Sequence, residues 1–132
     1  MPSSGDMYEV VLKKAHIEWG THRYTNTRGQ IYGEGYIHIP NAVAKELEIY
    51  NSNKTATLIR YNCSSVDGFY SGVLLAQGSS KAGSVFAKQF AEDGNLKGIG
   101  SWYAHNNAQP GDRVRVTWIN SEGIEIEHIS NH

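Results

Sequence analysis

Hydrophobic residues recur along this chain mostly at every second position, the spacing of strands that bury one face. In the stretch YEVVLKKAHIEW, Val10 and Leu12 share one phase while Ala15, Ile17 and Trp19 share the other, so a bulge or bend is expected near Lys13-Lys14. Tyr36-Ile37-His38-Ile39 alternates again and stops at Pro40, beyond which Asn41 can cap a helix through Leu47 with Val43 and Leu47 on one face. Further strands are expected at 55–63, 72–77 and 84–90, separated by clusters of Ser, Gly, Asp and Asn. A second short helix can open at Asp93, Gly94 or Asn95. Leu96, Ile99 and Tyr103 follow at helical spacing, and Asn106-Asn107 with Pro110-Gly111 end it.

The last hairpin is the clearest local element. Val114, Val116 and Trp118 point one way and connect through Asn120-Ser121-Glu122-Gly123 to Ile124 and Ile126. On its other face Arg113 and Arg115 are expected across from Glu125 and Glu127, a pairing worth roughly 0.2 to 1 kcal/mol each, which gives these arginines a structural role. About seven turn-linked strands with two short helices and no internal repeat suggest a mainly β fold, an open antiparallel barrel. No linker-like composition divides the chain, so residues 1–132 read as a single domain.

Composition narrows the function classes. With 39% hydrophobic residues and 11% aromatics the chain can fold without staples, and the lone Cys63 excludes an intramolecular disulfide. No apolar run approaches the roughly 20 residues of a membrane helix, and MPSSGDMYE lacks a basic and apolar leader pattern, so a cytoplasmic protein with no membrane association is expected. The formal net charge of −1 does not announce a nucleic-acid binder, which leaves local charge to decide. The histidines at 16, 22, 38, 105, 128 and 132 form no paired ligand motif, no nucleophile elbow is present, and nothing marks Cys63 as an activated thiolate. No catalytic residue, metal or cofactor is therefore expected.

Against this background, GTHRYTNTRGQIYGEG interrupts the apolar pattern. It offers Arg23 and Arg28 as forked donors, Asn26 and Gln30 as amides, hydroxyls at Thr21, Thr25 and Thr27, and aromatic rims at Tyr24 and Tyr32, opposed only by Glu34. Arg can pair with guanine O6 and N7, and Asn or Gln with adenine N6 and N7, while Thr and backbone N–H groups hold phosphates. A solvated hairpin extension is the alternative. Loops beyond about 12 to 15 residues are usually functional or disordered, and the retained aromatics weigh against disorder. A second polar zone, QGSSKAGSVFAKQ, contains Lys81 and Lys88 and no acid; its alternative is a plain turn. Two rival functions stay open: a small metal-dependent nuclease using Glu125, Glu127 and a distant His, and a carbohydrate- or peptide-binding β-barrel stacking Tyr24, Tyr32 and Trp19 on its ligand.

The stretches GEGYIHIPNAVAKELEIYNSN, YNCSSVDGF, GSSKAGSVFAKQF and QPGDRVRVTW together resemble the DNA-recognition domain of phospholipase-D-type restriction endonucleases of the NgoFVII and BfiI-like group, over nearly the whole chain. That resemblance implies the seven-stranded DNA-binding pseudobarrel shared with the EcoRII effector domain and the plant B-three domains, which grips duplex DNA with two arms in the major groove. By the resemblance, one arm holds Thr21, His22, Arg23, Tyr24, Thr25, Asn26, Thr27, Arg28, Gln30 and Tyr32. The other arm begins at Gln77 and contains Ser79, Ser80 and Lys81, with Lys88 beyond it. The nuclease half of those enzymes carries an H-x-K motif, whereas the triplets here are HIE, HRY, HIP, HNN and HIS. The expectation is thus sequence-specific binding of double-stranded DNA without cleavage. The nuclease would reside elsewhere in a parent chain or in a partner protein.

Overall fold

The fold is seen in a computed structural model that describes residues 3–13, 35–51, 59–78, 85–94 and 97–131. Its strands are β1 (Met7–Val11), β2 (Ile37–His38), β3 (Arg60–Ser65), β4 (Ser71–Gln77), β5 (Gln89–Glu92), β6 (Arg113–Asn120) and β7 (Gly123–Ile129). Helix α1 (Asn41–Leu47) follows β2 and α2 (Lys97–His105) follows β5. They form one seven-stranded sheet in the order β1-β6-β7-β3-β4-β5-β2. Neighbours in it are antiparallel except β3 and β7, which run parallel from Asn62↔Gly123 to Ser65↔Ile126. The two edge strands come together where the Tyr8 hydroxyl donates to the His38 carbonyl at 3.1 Å. Among the described residues the sheet is therefore a nearly closed, barrel-like one accompanied by two helices, in keeping with the pattern of short alternating strands.

Strand alternation sorts the side chains. Tyr8, Val10 and Leu12 enter the core from β1 and its end, Ile37 and Ile39 from around β2, and Val114, Val116, Trp118, Ile124 and Ile126 from the β6–β7 hairpin. At the centre, Trp118 meets Tyr8 (β1), Tyr61 (β3) and Phe90 (β5) at ring-centroid distances of 6.2, 6.0 and 6.3 Å. Tyr61 also stands edge-on to Phe90 at 5.6 Å. These are favourable aromatic geometries. All but the Tyr8–Trp118 contact also link strands that are not neighbours in the sheet, which is what an interior enclosed by a curled sheet requires.

Three local expectations need correction. Asn41 does not cap α1: Pro40 occupies the N-cap position with φ −58° and ψ 142°, its carbonyl accepts from Ala44 N–H, and no side chain caps the helix. Arg115 does lie across from Glu127, but Arg113 lies across from Ile129, and Glu125 from Thr117. In an antiparallel hairpin, the residue farther from the turn on one strand must face one farther from it on the other. Arg115 instead sits between two acids in register, 2.8 Å from Glu9 and 3.4 Å from Glu127, with Arg113 3.7 Å from Glu9. Finally, the strand expected at 84–90 is divided: Phe86 bridges to Tyr50, and the regular ladder starts only at Gln89. The chain leaving α1 supplies backbone partners to the first part, Asn51 N–H donating to the Val85 carbonyl and Ala87 N–H to the Ile49 carbonyl. The bend expected near Lys13-Lys14 involves Lys14, outside the described residues.

Two carboxylates brace the ends of the fold. Asp67, in the β3–β4 turn, accepts from the Ser65 hydroxyl, the Phe69 N–H, the Trp102 indole and the Asn106 amide. Asp112 accepts from the backbone N–H groups of Gln109 and Asn131 and lies 2.8 Å from His128 Nε2. Burial alone would raise both pKa values, but these hydrogen bonds outweigh it and hold both below the ordinary carboxylate value. A folded pKa below the unfolded one contributes stability that is fully present above the unfolded value of about 4 and is lost progressively as pH falls below it and through the lower folded value. Thermal unfolding from pH 7 to pH 3 should therefore show Tm falling at the acid end. Asp112→Asn should lower Tm at pH 7 and flatten that acid limb; a limb of unchanged steepness would contradict the assignment.

Candidate functional site

Ladder directions decide where the two polar connections leave the sheet. β6 runs against β1 and β7 against β6; β3 runs with β7, and β4 against β3. β4 therefore runs opposite to β1. The connection after β1 and the connection after β4 consequently depart from opposite ends of the same sheet. Between them lies the outward face of β4, β5 and β2, since Leu74, Ala76, Phe90 and Ile37 point inward.

On that outward face, Gln77, Gln89 and His38 are in register across three adjacent strands, each partly exposed. The Gln89 amide donates to the Gln77 side-chain oxygen at 3.4 Å. Lys88, next in the chain, is exposed. Partial burial, with the Lys13 ammonium nearby, lowers the His38 pKa. At neutral pH this imidazole is thus uncharged, with one nitrogen donating and the other accepting. Lys13, just beyond β1, places a cation within electrostatic reach of a residue on β2. The row can offer amide donors and acceptors, an imidazole and flanking cations, a set suited to base edges and phosphate oxygens.

The ends of the connections are held by the body of the fold. Gly35, where the chain returns to β2, lies so close to α2 that a Cβ there would sit 3.1 Å from Gly100 Cα and from Tyr103 Cδ2. The Tyr103 hydroxyl donates to the Tyr36 carbonyl at 2.7 Å. At the other connection, Gly78 has φ +124°, and a Cβ on it would stand 2.8 Å from Lys88 Cβ, so glycine is required where these two stems approach. Lys88 N–H donates to the Gln77 carbonyl at 2.7 Å.

Of the residues singled out from sequence, Gln77 and Lys88 are brought together at the root of the second connection. Thr21, His22, Arg23, Tyr24, Thr25, Asn26, Thr27, Arg28, Gln30, Tyr32, Ser79, Ser80 and Lys81 lie outside the described residues. Sequence reasoning missed His38, Gln89 and Lys13. The alternation that sends Ile37 and Ile39 inward already sends His38 outward, but only the register places it beside Gln89.

The residues weighed for catalysis have other surroundings. Cys63 is buried, and burial followed by the nearby Glu92 pushes its thiol well above the usual range. Glu127 is engaged by Arg115. Among the described residues no three His, Cys, Asp or Glu side chains gather as metal ligands. No described helix is long and apolar enough to cross a membrane.

No protein-family model matches the chain, and no curated protein matches it significantly. A solved structure, that of the hypothetical Arabidopsis thaliana protein At1g16640.1, is similar to it with a TM-score of 0.56 at 8% sequence identity, over 98% of this chain and 95% of that one. At that identity the likeness concerns the fold alone, the barrel-like β architecture described above.

Proposed function

We propose that this chain binds double-stranded DNA in a sequence-specific manner, as the recognition part of a restriction endonuclease whose cleavage centre lies elsewhere in a parent chain or in a partner. The observation that carries this reading is the departure of two polar, cation-bearing connections from opposite ends of one sheet, with Gln77, Gln89 and His38 on the face between them. A duplex laid on that face would have one connection on each side, so both could enter the groove. Arg23 and Arg28 on one arm and Lys81 and Lys88 at the other supply the cations, and the amides supply base readout.

The near-neutral net charge limits how many phosphates are neutralised. Each adds about 0.9 to the slope of log K against log salt, so a handful of contacts gives a slope of roughly 3 to 6 in magnitude. Fluorescence anisotropy with a labelled duplex at several salt concentrations measures it. A slope near zero would contradict DNA binding, and absence of any strand cleavage when divalent metal is supplied would separate the reading from a metal-dependent nuclease, whose cleavage EDTA would abolish.

A further inference from the structure

Asn51 is a buried polar residue that belongs to neither polar connection, yet its contacts converge on one of them. Its backbone N–H donates to the Val85 carbonyl at 2.8 Å, and Ala87 N–H donates to the Ile49 carbonyl at 2.9 Å, so the chain after α1 forms a short ladder with the returning stem. Its side-chain amide donates to the Gly78 carbonyl on the outgoing stem and, at 3.2 Å, to the Phe86 carbonyl on the returning one. A primary amide has two hydrogens, and here each stem receives one. Tyr50 stacks on Phe86 at 5.5 Å beside the same junction, and the Lys45 ammonium stands 6.0 Å from that ring.

We infer that Asn51 is a positioning residue for the β4–β5 arm, fixing the separation and direction of its two stems so that the arm meets DNA in a constant orientation. This rests on the DNA-binding reading above. Few other side chains could do the same work. Asn51→Asp would turn a carboxylate toward two carbonyl oxygens, Asn51→Ser would offer a single donor, and Asn51→Ala would leave both carbonyls without this partner. Base readout is sensitive to such support because contacting groups must be held within about 0.5 Å of their productive positions.

The test has one readout without DNA and one with it, applied to Asn51→Ala and to the milder Asn51→Ser. Hydrogen exchange should show the amides of Lys88 and residue 51 losing roughly tenfold or more of their protection through local opening, while those of the β6–β7 hairpin keep theirs. The preference for a selected site over an unrelated duplex should fall about tenfold, as expected when one base contact is misplaced, with the affinity for unrelated duplex changed far less. Unchanged exchange at the stems, or exchange raised equally throughout, would overturn the positioning role. So would failure of both variants to fold, which would make Asn51 a support of the whole domain. If the stems loosen selectively but the wild-type protein prefers no duplex sequence, the clamp stands and the DNA reading fails.

Discussion

Truncating Trp118 to Ala is expected to lower the free energy of unfolding by about 3 to 5 kcal/mol, the usual cost of removing a buried indole and leaving a cavity. Trp118 is 1% exposed and touches aromatic rings from β1, β3 and β5, so its loss removes packing across the barrel and not along one hairpin alone. Against a typical total of about 5 to 15 kcal/mol, that change approaches the whole margin of stability. The next residue gives the contrast. Ile119, 54% exposed at the register shift before Asn120, should change stability by no more than about 0.5 kcal/mol when made Ala. Urea unfolding of both variants measures the difference; equal losses would mean that the interior is organised around other residues.

The second large effect concerns recognition. On the proposed reading, replacing Arg23 or Arg28 with Ala weakens the preferred DNA site by roughly tenfold or more and relaxes choice at one base position, since a bidentate arginine-guanine contact is worth about 1 to 3 kcal/mol. Asn26 and Gln30 stand next, as amides that match adenine. Lys81→Ala should instead weaken all sequences about equally, because a lysine on a phosphate carries no sequence information. On the same reading neither change should disturb unfolding, since an exposed arm contributes little to the core. Quantitative binding to the selected site and its single-base variants distinguishes the two patterns.

How far the sequence could be read differed between local and long-range features. Tyr8, Val10 and Leu12, or Val114, Val116 and Trp118, announce their strands because burying one face of a strand forces a period of two. α2 was visible because Ile99 and Tyr103 recur at helical spacing; Trp102, its largest buried side chain, becomes explicable only when Asp67 from a distant turn accepts its indole hydrogen. The parallel pairing of β3 with β7 left no local trace, since nothing around Asn62 encodes which strand lies beside it. The same limit hid part of the candidate site. The polar loop stood out by composition, whereas the row Gln77, Gln89 and His38 exists only through register among three strands, and Asn51 resembles any loop asparagine until its amide is seen between two carbonyls.

The most direct test of the central claim is selection of a preferred site from randomised duplex DNA by the wild-type chain, repeated with Arg23→Ala and Arg28→Ala. The account predicts that the wild type enriches one short motif and that each variant returns this motif with a single position relaxed. Absence of any enriched motif, or recovery of the unaltered motif with unaltered affinity by both variants, would contradict it.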